Sequence, residues 1–117
     1  MAGLDVAAAV EAVRADLAGA GLTAAADPRA LNPPCVWLSA TSIALDRLEG
    51  ATVRVDCYLI APDHGADRAL VTLSDMLTRA LEVITPVTDP SLNEAVALPA
   101  GGGPMPAFRL SADVTLC

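Results

Sequence analysis

Lysine is absent from this 117-residue chain, and its seven cations are all arginine, placed singly from Arg14 to Arg109. Against fourteen acidic residues they leave a formal charge of −7. Gripping phosphates calls for clustered cations, so this distribution excludes sequence-specific nucleic-acid binding. Two readings of the surplus negative charge stay open: a solvated, self-repelling surface, or a negative wall past which DNA slides without sticking. Aromatics are as scarce, Trp37, Tyr58 and Phe108 being the whole set. A deep ligand pocket has little aromatic lining to draw on. The core must come from Val, Leu, Ile and the 24 alanines.

Cys35, Cys57 and Cys117 are odd in number and lack CxxC spacing, which argues against a disulfide framework and a zinc ribbon. They read as reduced thiols that pack as small hydrophobes, unpaired and metal-free. The single histidine, His64, lies between Asp63 and Gly65 in a turn, and none of Ser39, Ser42 or Ser74 has a nucleophile-elbow context. The carboxylates show no close pair in an apolar setting. We therefore expect no enzyme, no cofactor and no metal site. No basic segment followed by an apolar run opens the sequence, and no run approaches the roughly 18–20 apolar residues needed to cross a bilayer. The expectation is one domain over residues 1–117, neither exported nor membrane-inserted.

Val6, Val10, Val13 and Leu17 recur at helical spacing, which predicts a helix over Leu4–Ala18 stopped by Gly19 and Gly21. Its alanine-rich flank suits close packing, either on its own core or on a neighbouring subunit. Asp27 to Pro34, with three prolines, reads as a connector without helix or central strand. Cys35 to Ile43 reads as a strand with Val36, Leu38 and Ala40 on one face and Cys35, Trp37, Ser39 and Thr41 on the other. Val53, Val55, Cys57 and Leu59 alternate with Arg54, Asp56 and Tyr58, and Phe108 to Leu116 repeats the pattern. Between them a helix is predicted over Ala66–Ile84, with Asp63 a candidate N-cap and Asp75 and Arg79 spaced for an i,i+4 pair. Glu94 to Leu98 reads as a short strand. The Pro99–Pro106 segment has a glycine-rich centre but no Lys and precedes a strand, so neither phosphate-loop nor dinucleotide fingerprint applies.

These elements predict an α+β domain, a mainly antiparallel sheet with two helices packed on one face. In this order of elements almost the whole chain resembles the tail terminator proteins of long-tailed bacteriophages, particularly those infecting GC-rich actinobacteria. The resembling features are the opening amphipathic helix and the approach Asp27-Pro28 through Asn32-Pro33-Pro34-Cys35-Val36. With them go Leu59-Ile60-Ala61-Pro62 before the second helix, and Ala97-Leu98-Pro99 through Met105-Pro106-Ala107-Phe108-Arg109-Leu110. The resemblance implies a structural virion protein: a homo-oligomeric ring, typically a hexamer, that caps the tail tube and stops its polymerisation. It further implies the major tail tube protein and the head connector or stopper as partners, DNA passing through the lumen, assembly in the host cytoplasm and a place at the head-proximal end of the tail. Two alternatives remain: another head–tail joining protein, such as a stopper or completion adaptor, and a small-molecule-binding α+β module.

Candidate contact residues follow from the faces. Trp37, on the more polar face of its strand, is either a boundary residue or an interface anchor. Arg54 and Asp56 on one strand and Arg109 and Asp113 on another are expected to pair with opposite charges across a subunit contact. Gly101, Gly102 and Gly103, with apolar Met105 beside them, are expected to order against a neighbouring subunit or the tube, and not on their own domain.

Overall fold

Asp5 opens the first helix, its carboxylate accepting from the Ala8 backbone N–H at 2.9 Å and satisfying a donor that a helix start leaves free. The computed structural model describes residues 5–46, 50–62, 65–99 and 103–116. Helix α1 (Val6–Gly19) buries Ala9, Val13 and Leu17, with Val6 and Val10 partly covered. The expected stripe is thus rotated slightly, and Ala9, 1% exposed, faces the core, where a methyl side chain permits close approach. Gly21 N–H donates to Ala18 O at 3.0 Å and Leu22 N–H to Leu17 O at 2.9 Å, the Schellman ending. Gly21 stands at φ +85°, a conformation that side-chain-bearing residues adopt only with strain.

Helix α2 (Ala66–Leu81) turns Ala69, Leu73, Met76 and Ala80 to the core, and Arg79 meets Asp75 at 3.1 Å. It ends at Leu81, short of the expected Ile84, which still folds back with its N–H on Ala80 O at 2.8 Å. Its N-cap is Gly65 and not Asp63. Leu4, Asp63, His64 and Cys117 lie outside the described residues.

Among the described residues five strands form one sheet: β1 (Ala24–Ala25), β2 (Cys35–Asp46), β3 (Gly50–Ile60), β4 (Ser91–Ala97) and β5 (Pro104–Leu116), in the order β1-β2-β3-β5-β4. Only the β1–β2 pair is parallel. Side-chain rows cross the sheet at Val36–Leu59–Phe108 and Leu38–Cys57–Leu110. All six are buried in one core with both helices, an α+β architecture with the helices on one face. Val55, Leu59 and Leu110 are at most 1% exposed and Val114 packs against the same core. A one-residue slip would have turned this set to solvent, forfeiting roughly 1.5–3 kcal/mol for each large side chain.

Strand and connector boundaries also depart from the sequence reading: β3 opens at Gly50 and not at Val53, and β4 spans Ser91–Ala97 and not Glu94–Leu98. The connector contains a 3-10 turn at Pro28–Ala30, and β1 precedes it. β2 continues past Ile43 to Asp46. β5 begins at Pro104, four residues before Phe108. Prolines are tolerated there because residues of one parity turn their backbone groups towards β3, which has ended at Ile60; Pro106 O accepts from Ala61 N–H at 3.2 Å, and the missing donors face no ladder.

Around Ile60 and Ala107 the strand ends build a second, smaller core on the opposite face, from Leu31, Cys35, Ile60, Val96, Leu98, Met105 and Ala107. At the other end, β2, β3 and β5 run on as a three-stranded arm. A 13-residue strand spans roughly 43 Å, whereas a 14-residue helix covers about 21 Å. The molecule is accordingly long and narrow, 49 × 26 × 23 Å, with Leu45 71% exposed towards the arm's end.

Candidate functional site

The face turned away from the helices carries the chain's polar rows. Strand register sets Trp37, Tyr58 and Arg109 side by side, then Ser39, Asp56 and Ser111, then Ser42, Arg54 and Asp113. Trp37 stacks on Tyr58 with ring centroids 5.1 Å apart and 26° between planes. Its indole N–H donates to Ala26 O at 3.1 Å, tying the connector to the sheet. The Ser111 hydroxyl donates to Asp56 Oδ1 at 2.6 Å, and the Ser91 hydroxyl to Glu94 Oε2 at 2.8 Å.

Within one chain the register already brings two of these charges together. Arg54 lies directly opposite Asp113, and its Nε and Nη2 donate to the two carboxylate oxygens at 3.1 and 3.5 Å within one chain. That hydrogen bond, then the Asp113 charge and more weakly the Asp56 charge, holds the Arg54 pKa above its ordinary value. Arg109 sits 3.9 Å from Glu94, and its pKa is raised first by the Tyr58 hydroxyl and then by the Glu94 charge. Alternation along a strand shows which residues share a face; only register shows which of them meet.

Met105 corrects the expectation of packing outside its own domain. It pairs with Val96 on β4, is 8% exposed, and packs in the smaller core of its own chain. Its strand parity aligns it with Ala107 and brackets it with strand-compatible prolines, so it does not wait for a neighbour. Gly103 is exposed at φ +71°, while Gly101 and Gly102 lie outside the described residues. The sequence reading passed over Tyr58, Glu94 and Ser111 as site members, although Tyr58 follows Arg54 and Asp56 at the polar positions of the same strand.

Cys35 and Cys57 are buried on opposite faces, one in each core. Burial pushes their thiols up to about 11 and about 12, Asp56 adding to the second. Such thiols are poor nucleophiles and poor metal ligands at neutral pH. Among the described residues no three His, Cys, Asp or Glu gather as a metal set. The grooves are open; one of about 200 Å³ runs between α2 and β4, past Leu70, Leu92 and Phe108. No described helix is long and apolar enough to cross a membrane. No protein-family model matches the chain, and no curated protein matches it.

Proposed function

We propose that this chain is the tail terminator of a long-tailed bacteriophage. Copies close into a ring on the last ring of the tail tube, stop its growth and offer a surface to the head-side connector, while DNA passes through the lumen without sequence-specific contact. The chain acts through contacts and not through catalysis. The observation that carries this reading is the three-stranded arm: helices cover one face of the sheet, and β2, β3 and β5 run on past β1 and β4 with outer strand edges bare of described partners. Such edges are association surfaces. The sequence resemblance supplies the biological setting, and the open grooves and partnered charges suit a protein whose work is done by its surface.

Loss of the gene in its own phage tests this. Electron micrographs should show tails of uncontrolled length separated from filled heads. Tails of normal length that fail to join heads would move the assignment to another head–tail joining protein, and normal particles would overturn both.

A further inference from the structure

Among the described residues both outer edges of the arm lack a paired strand over the same stretch. On β5, Ser111 turns its carbonyl outward, where Val87 N–H donates to it at 3.0 Å. Backbone groups alternate sides along an antiparallel strand, so Asp113 and Thr115 turn theirs the same way, and no described strand lies beside them. On β2, Val36 N–H points outward to Thr23 O at 2.8 Å, and β1 ends alongside Trp37. Leu59, opposite Val36, must therefore turn its groups towards β5. Alternation along β3 gives Val53 and Ala51 the same sense. Their partners Ile43 and Leu45 consequently present N–H and C=O to the open edge.

Among the described residues no strand pairs with that edge past Trp37. The stretch from Ala40 to Leu45 has neither charge nor proline, and Ile43 and Leu45 are 38% and 71% exposed on the helix-side face. Natural proteins block such strands with charges, prolines or covering segments.

We infer that a second copy of this chain fills it: β5 of one subunit lies parallel to β2 of the next, Asp113–Thr115 beside Ile43–Leu45, and successive sheets join into one. This rests on the reading of the chain as a ring-former. β2 and β5 both run antiparallel to β3 and so parallel to each other. A copy rotated about an axis along the strands thus brings its β5 to β2 in one sense only, with all helices on one side. Side chains match as well. The apolar row Ile43–Val53–Val114 continues into the same row of the next copy, and the polar row Ser42–Arg54–Asp113 does likewise. The contact joins two different edges, so it is heterologous and propagates until it closes.

Ile43→Pro and Thr115→Pro test the inference, because each deletes an outward N–H and no bond of the chain's own ladder. Sedimentation velocity on the full chain should show wild-type assemblies larger than a dimer and each variant monomeric. An equimolar mixture of the two should stop at a dimer, since one retains β5 and the other β2. Dimers of Thr115→Pro alone would mean symmetric β2–β2 pairing, dimers of Ile43→Pro alone β5–β5 pairing, and a wild type monomeric at every soluble concentration no pairing; each overturns the inference. Should a proline variant lose its native circular dichroism, Ile43→Cys with Val114→Cys on a Cys117→Ser background replaces it. Within one chain those positions are two strands apart, about 10 Å, beyond disulfide reach. Oxidation should give covalent multimers on a non-reducing gel, and exclusively monomers would refute the pairing. Assembly through these edges combined with normal particles from the gene deletion would remove the terminator reading alone. Uncontrolled tails combined with rings that survive both prolines would remove the strand pairing alone.

Discussion

Raising the pH should destabilise this protein through Cys57. The residue stands in β3 between Leu38 and Leu110, fully buried, its thiol pushed up to about 12 chiefly by burial. In the unfolded chain it titrates near the ordinary value of about 8.5. Because the folded value is the higher, the folded state keeps its proton longer, so the contribution is fully present below about pH 8.5 and is lost as pH climbs towards 12. The slope approaches about 1.4 kcal/mol per pH unit above pH 8.5, so that about 2.7 kcal/mol has been lost in all by pH 10.5. That is a large part of the roughly 5–15 kcal/mol that holds a typical domain together. Cys35, raised to about 11, acts with the same sign in the same window. The assay is urea unfolding under reductant, followed by Trp37 fluorescence, for wild type and Cys57→Ala. At pH 7 the variant should be less stable by about 1 kcal/mol for the lost sulfur volume. Above pH 8.5 the wild type should decline more steeply, and the two curves should converge and cross. Parallel curves would refute the reasoning, since they would mean that Cys57 ionises alike in both states and that β3 does not turn it to the helices.

Gly21→Ala should lower stability by about 1–2 kcal/mol, because φ +85° strains any side chain and the added carbon would come within 2.9 Å of the Arg79 guanidinium; an unchanged thermal midpoint would contradict the Schellman ending. Met105→Ala should cost about 2 kcal/mol in the isolated chain, as expected for a methionine packed in its own core, whereas a Met105 reserved for a neighbour would show no loss. Arg54→Glu should lower the urea midpoint by setting like charges opposite Asp113 and along β3 from Asp56, and adding Asp113→Arg should restore it. Failure of that swap to rescue would mean that Arg54 has its partner in another molecule.

The fold was legible wherever one strand face was buried. Val53 to Leu59 and Phe108 to Leu116 alternate cleanly because a single face meets the helices, and Gly21 marks a helix end that needs a positive φ. The smaller core was harder to see. It is assembled from the ends of β2, β3, β4 and β5 with Leu31, and its one local sign is the consecutive apolar run Leu59-Ile60-Ala61, where alternation lapses because both faces are covered. Pro104 and Pro106 concealed the start of β5, since a proline's cost depends on whether the adjacent strand still requires its N–H. The candidate site was legible in residue type and not in partnership: Arg54, Asp56, Arg109 and Asp113 do share a face, but the register that closes Arg54 on Asp113 is a property of the paired strands. The open edges of the arm were invisible to pattern, because unpaired backbone groups leave no mark on side-chain composition.

Polymerisation of the phage's own purified tail tube protein, with and without this chain, tests the terminator proposal most directly. Electron microscopy should show a ring of this protein at tube ends and tube lengths that shorten as its ratio to tube protein rises. Tubes of unchanged length with bare ends would contradict the account.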